Sequence, residues 1–382
     1  MKKYIAMSLL LMLISSQMVM TFAEVVIDRN TAIEMAISSS ASKESLEDTT
    51  LDLHANMANL YRYAQQQKDA EENYSKMIET MTKMGLPIAD EMIFNGEDEF
   101  NAFYSMQIQY ASINAQYLAL KDSLASVDLQ IISGVDTLLT NLLYLKEMIV
   151  LQDNYIAVQE ELLTDAETQY TLGLLSDNAY EDAKADYQIA VYEKQQFNYK
   201  EENLELQFKQ MLGLSMDDQM VLSDDYMSPK ANLDALESYQ AKALENRNDI
   251  KSATYQVDAA KSIYDYNMSA VSDLMNVFKA NMAVEKAESD LEDTKVAVYK
   301  DVLEAYNRVD DAKKTLEIAK KNYEVALEGQ RQAEISFDQG LIKDTDLALA
   351  KFAAQNSLAT LKSDIRTLYL AIETLNNKTV VQ

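Results

Sequence analysis

Residues able to do chemistry are scarce in this chain. It has one histidine, His54, and no cysteine, which excludes disulfides, Cys/His zinc sites, thiol nucleophiles and any Ser-His-Asp triad not built on that imidazole. His54 lies in a helical stretch near Asp52 with no second imidazole or thiol, the setting of an ordinary surface histidine. Ser40-Ala-Ser-Lys43 and Ser176-Asp177-Asn178 match two of the three elements of serine acyl-transfer enzymes that combine Ser-x-x-Lys, Ser-Asp-Asn and Lys-Thr-Gly. The third element is absent, so Ser40 reads as a helix boundary and Ser176 as a turn residue. Glu97-Asp98-Glu99 gathers carboxylates without the loop spacing of a calcium site and reads as the start of a helix. The 20 Met and 23 Tyr fall mostly at helical spacing and serve packing. No catalytic residue, metal site or cofactor is expected, and the chain reads as a non-enzyme.

The elements that carry these residues are helices. With 7 Gly and 2 Pro in 382 residues, against about 12% in average usage, turns must be few and regular elements long. A net charge of −28 sets nucleic acid aside as a partner, because phosphate binding runs on Lys and Arg. Hydrophobic residues at 48% exclude an acidic disordered chain. Lys2 and Lys3, the apolar stretch from Ile5 to Ile14 and Thr21-Phe22-Ala23 have the charged, apolar and cleavable layout of a secretory signal, so 1–23 reads as a signal peptide. An exported chain without cysteine cannot be a lipoprotein, and no later segment has the ~20 apolar residues of a spanning helix.

From Val298 to Phe337 apolar residues recur in alternating steps of four and three, through Val302, Ala305, Val309, Ala312, Leu316, Ala319, Tyr323, Ala326 and Ala333. That is a heptad seam, and its alanines let a partner helix approach closely. The spacing returns in Ala354, Leu358, Leu361, Ile365, Leu368, Ile372 and Leu375, and every seventh residue from Ala183 through Ala190, Phe197 and Leu204 to Met211 is apolar. A helix from about 283 to 337 would be roughly 80 Å long. Gly173 and Gly340 sit where such helices stop, with Ser176-Asp177 and Asp344 as candidate N-caps of the returning helices. A shift of 167 positions pairs Gly173 with Gly340, Leu174 with Leu341, Asp177 with Asp344, Ala183 with Ala350 and Lys184 with Lys351. The chain is therefore expected to be all-α: long antiparallel coiled-coil hairpins in a tandem repeat, 24–230 and 231–382, divided at the 213–231 connection.

The segments Tyr170-Thr-Leu-Gly173-Leu174-Leu-Ser-Asp177 and Ser336-Phe337-Asp-Gln-Gly340-Leu341, with Leu212-Gly213 and Ala243-Leu-Glu-Asn-Arg247-Asn-Asp249-Ile250 at the repeat ends, resemble the TolC-like outer-membrane efflux family. The resemblance spans about 28–375. It implies a homotrimer forming an α-barrel, whose tip turns, here Gly173, Leu174, Asp177, Gly340, Leu341 and Asp344, dock an adaptor (membrane fusion) protein and an inner-membrane transporter. It also implies a tip constriction, whose first aspartate falls at Asp346 and whose second falls at Leu349, which is not acidic. The chain departs from the family in the membrane segment. A spanning strand pair needs two stretches of ~9–11 alternating residues, and neither Gly85–Asn101 nor Tyr264–Asn281 offers them. The expectation is an exported efflux or secretion component of a cell envelope, assigned to the outer membrane by resemblance but without evident transmembrane strands. A second expectation, from the same hairpins, is a cell-surface structural or adhesive coiled-coil protein with no channel.

Overall fold

A computed structural model describes residues 25–87, 96–223, 233–269 and 274–380. The signal sequence read over 1–23 and the repeat boundary at 230/231 lie outside these residues. In chain order the elements are β1 (Val25–Ile27), α1 (Arg29–Ser38), α2 (Ala41–Lys83), α3 (Gly96–Thr171), α4 (Asp177–Leu212), β2 (Met220–Leu222), α5 (Leu236–Asn246), α6 (Asn248–Ser269), α7 (Leu274–Asp338) and α8 (Asp344–Asn377). A short helix, a longer one, a very long one and a returning one follow each other twice, as α1–α4 and α5–α8. The duplication read from the sequence is thus repeated in the order of elements. Spatially the described residues group into two compact units, 25–39 with 135–223 and 330–359, and 40–134 with 233–329 and 360–380. Each unit draws on both sequence halves.

In the first unit β1 and β2 form a parallel pair with Val25, Val26 and Ile27 opposite Met220, Val221 and Leu222. The sequence reading had only a polar connection there. Asp28 caps α1 by accepting the Thr31 amide at 2.7 Å, and these local hydrogen bonds hold its carboxyl below the ordinary range. Arg29 grips Asp136 of α3 through both guanidinium edges, at 2.6 and 2.8 Å. Asp136 is buried, and such a carboxylate needs a bidentate cationic partner. Gly213 ends α4 at φ 70°, where a Cβ would also lie 2.8 Å from Ser39 Cβ.

The second unit is built on the heptad seam. Val298, Val302, Ala305, Val309, Ala312 and Leu316 of α7 are buried against Tyr239 and Ala243 of α5, Ile250 of α6 and Leu368 and Leu375 of α8. Knobs of Leu and Val pack over alanine gaps, as the four-three spacing requires. The helix runs further back than the seam, beginning at Leu274 rather than near 283. Arg247, fully buried, joins α5 to α6 and pairs with Asp249 at 3.0 Å and with Asp301 of α7 at 3.2 Å. Lys378, just past α8, reaches the same Asp301 at 3.4 Å. Burial works against the Arg247 charge, but hydrogen bonds and charges from Asp249 and Asp301 outweigh it and hold the guanidinium above its ordinary pKa. Tyr255 of α6 donates to Asp122 of α3 at 2.7 Å, which, with partial burial, pushes its phenol up to about 12.

Among the described residues no helix is long and apolar enough to cross a membrane. Of the two stretches tested for membrane strands, Tyr264–Asn281 is helical over 264–269 and 274–281, and Gly85–Asn101 is helical from Gly96 on. Positions 88–95 and 270–273 lie outside the described residues.

Two outcomes follow for stability. Gly173→Ala meets only the left-handed backbone, worth roughly 1–2 kcal/mol, whereas Gly213→Ala adds the Ser39 contact. Thermal melts by circular dichroism will show the larger loss for Gly213→Ala. Because folding raises the Tyr255 pKa from 10.0 to about 12, the stability this phenol contributes is whole below pH 10. It is lost as pH rises from 10 to about 12. Tyr255→Phe will remove that part of the alkaline dependence in pH-resolved denaturant melts.

Candidate functional site: the hairpin turns

Both hairpin turns lie in the first unit, and one backbone device makes each. At the α3–α4 turn the Gly173 amide donates to Tyr170 O at 2.9 Å and the Leu174 amide to Gln169 O at 2.8 Å. At the α7–α8 turn Gly340 donates to Phe337 O and Leu341 to Ser336 O, both at 2.8 Å. These are the paired bonds of a Schellman stop, which needs a positive φ at its next-to-last residue. Gly173 and Gly340 supply 73° and 70°. The offsets are the same in both turns, so the 167-residue shift relates hydrogen bonds as well as letters. The stop also throws the next side chain outward: Leu174 is 72% and Leu341 71% exposed.

The two returning helices are capped differently. Ser176 Oγ accepts from the Ala179 amide at 3.3 Å, placing Asp177 in the first turn of α4 beside the positive helix end. On α8 the sequence reading put the cap at Asp344, but that residue is already in the first turn. The capping carboxylate is Asp346, which reaches back to the Lys343 amide at 3.1 Å in half of a capping box. Asp344 and Asp346 are both exposed, and Leu349 beyond them is exposed as well.

Around the first turn the side chains form a cluster that the sequence reading missed. Tyr170 stacks on Tyr180 at 4.7 Å between ring centroids, and Lys184 sits 4.1 Å over the Tyr180 ring while pairing with Glu181 at 2.8 Å. A hydrogen bond and repulsion from the Asp177 carboxylate push the Tyr170 phenol up, and the bond to Glu181 raises the Lys184 ammonium. The signal was present as tyrosines ten residues apart across the glycine. In the second turn the shift puts Phe337 and Leu347 in their places, so a phenol pair is replaced by apolar side chains. The hairpins meet where Tyr155 of α3 faces Phe352 of α8 at 4.8 Å and Asn154 bonds Gln355 at 3.0 Å.

The residues of the rejected catalytic motifs are occupied structurally. Ser40 Oγ accepts from the Lys43 amide at 3.3 Å, capping α2, and Lys43 pairs with Asp128 at 2.8 Å. His54 lies against Tyr117 at 5.4 Å. Among the described residues no three His, Cys, Asp or Glu side chains converge to hold a metal. Each turn presents an exposed leucine after its stop, flanked by helix-start carboxylates.

No family model matches the sequence, and no curated protein does. Solved structures do match. A membrane protein from Pseudomonas aeruginosa superposes with a TM-score of 0.64 at 11% identity, over 92% of this chain and 90% of its own. CusC, described for its folding and transmembrane channel formation, gives 0.65 at 10% identity over 93% and 92%. The open state of the Neisseria gonorrhoeae MtrE outer membrane channel gives 0.56 at 11% identity over 92% and 88%.

Removing the Ser176 cap by Ser176→Ala will cost about 1 kcal/mol and speed hydrogen exchange in the first turn of α4. Leu174→Ser, at an exposed position, will leave the melting temperature unchanged. The fold that presents these turns is TolC-like, as the likeness to solved outer-membrane channels shows.

Proposed function

We propose that this chain is an exported component of an efflux or secretion system. Its copies, three in number, close side by side into a helical conduit or spacer in the cell envelope. The mature repeats are 24–230 and 231–382, preceded by a signal peptide. The turns at Gly173, Leu174 and Asp177 and at Gly340, Leu341 and Asp344 dock an adaptor protein, which links the conduit to an inner-membrane transporter. The observation that carries this reading is the duplicated turn, with the same stop and the same outward leucine in both halves, on a fold that spans about nine-tenths of the CusC and MtrE chains.

A conduit needs helices with two seams each. In the first unit α4 buries Ala190, Phe208 and Leu212, yet leaves Ile189, Tyr192, Tyr199 and Leu206 exposed. Their steps of three and seven are those of a second seam, which supports a neighbouring copy. Three exposed Asp346 carboxylates brought to one constriction would repel one another and favour cations.

The test is the native mass of residues 24–382 by light scattering together with negative-stain imaging of the same sample. A trimer with an open lumen is the expected result. A closed, self-filled bundle, or an elongated monomer or dimer without lumen, would instead support a cell-surface structural coiled coil.

A further inference from the structure

In the second unit α3 and α6 are tied at two levels. Tyr255 of α6 donates to Asp122 of α3 at 2.7 Å, and Tyr266 of α6 donates to Gln107 of α3 at 3.5 Å. The helices therefore run antiparallel here, and between the two bonds they leave a cavity of about 160 Å³. Its lining residues lie over 110–118 of α3 and 255–266 of α6, a span of roughly 12–16 Å at the helical rise. So small a volume over that length is a narrow slot, well below the ~300 Å³ of sites for drug-sized ligands. Ala111, Ala115 and Leu118 recur on one face of α3, and with Ala259 of α6 they make an apolar wall. A straight aliphatic chain fits along such a wall; a ring or a branched group does not.

The polar side chains of the slot are biased towards acceptance. Tyr255 has spent its hydrogen on Asp122, and Ser262 has spent its own on the Asp258 carbonyl at 2.9 Å, so each hydroxyl oxygen can only accept from a further group. Asp258 adds a carboxylate that has no hydrogen bond or ion pair among the described residues. Asn114 and Tyr110, also in the lining, can turn either way. Among the described residues no lysine or arginine lines the slot, and Lys261, next to Ser262, is taken by Glu288 of α7 at 2.8 Å. An anion would meet no cation here. Asp258 is the only carboxylate in the lining among the described residues, too few for a calcium site. An ammonium, which carries donors and no acceptor, matches what the slot presents.

We infer that this slot is a binding site for an unbranched primary aliphatic amine. The ammonium pairs with Asp258 and donates to the hydroxyl oxygens beside it, and the methylenes lie along Ala111, Ala115, Leu118 and Ala259. The slot lies within one copy, so the site goes beyond the conduit reading and does not depend on how many copies assemble.

The probe is n-hexylammonium chloride, titrated into the full chain by calorimetry in salt of about 0.15 M, where attraction to distant surface charge is screened. Saturable binding of one probe per chain is expected. Asp258→Asn will weaken it roughly tenfold or more, as loss of a charge-assisted hydrogen bond does. Asp293→Asn, which removes an exposed carboxylate of α7 outside the lining, will leave it unchanged. Both substitutions fall on exposed side chains, and matched melts by circular dichroism check the fold. Two further probes act on the unaltered chain: 1-hexanol has the length without the charge, and tetraethylammonium has the charge without a donor or a straight chain. Both are expected to bind at least roughly tenfold more weakly. Equal affinity for 1-hexanol would mean an apolar slot with no ammonium site. Equal affinity for tetraethylammonium, or an equal loss in Asp293→Asn, would mean diffuse attraction to an acidic surface. Either result, or no saturable binding of hexylammonium, overturns the proposal. A monomer without lumen that still binds hexylammonium at Asp258 keeps this site and removes the conduit, whereas an open trimer that does not bind it removes the site and keeps the conduit.

Discussion

The seam along α7 is the constraint on which the rest of the structure depends. A helix of 65 residues with a negative mean hydropathy gains little from propensity and must be held by tertiary contacts. Val298, Val302, Val309 and Leu316 provide the apolar area, while Ala305 and Ala312 set how near a neighbour can come. Because small and large residues alternate along the stripe, α8 and the short α5 can pack only in a register that puts their side chains over the alanines.

Charge acts as the second register pin, and does so in both halves. Arg29 at the start of α1 clamps Asp136 of α3, and Arg247 at the end of α5 clamps Asp301 of α7. The repeat shift carries Asp136 to within two residues of Asp301, so a short opening helix is tied to nearly the same level of the long helix in each half. Burying a guanidinium costs several kcal/mol, so the clamp is tolerable only with paired carboxylates, and Lys378 balances the second carboxylate at Asp301. A chain this acidic has carboxylates to spare at its surface. The buried Asp136 has its cation in Arg29.

What was legible in the sequence is what has a period or a unique backbone need. The seam from Val298 to Ala319 is buried as read, since a four-three spacing admits no other face. Gly173 and Gly340 were readable as stops because a positive φ at a helix end excludes most other residues. The β1–β2 pair was not readable, because three residues per strand carry no period and the partners lie far apart in the chain. Asp344 and Asp346 are both acids in the first turn of α8, and only the reach of the side chain decides which one caps. The start of α7 at Leu274 escaped notice because its first three turns expose Leu274, Phe278 and Met282 and so break the inward pattern a helix is recognised by.

The seam of α7 also changes along its length. From Val298 to Ala319 its positions are buried, but Tyr323, Ala326, Gln330 and Ala333, in the same register toward the turn, are only half-buried. Helix stretches with fewer buried contacts open at lower free energy than well-packed ones, so the end of α7 next to its turn is held less firmly than the seam before it. If a partner docks at the leucines of Gly173-Leu174 and Gly340-Leu341, as proposed, it meets helices that can still close around it. Burial left undone within the chain then becomes part of the binding free energy.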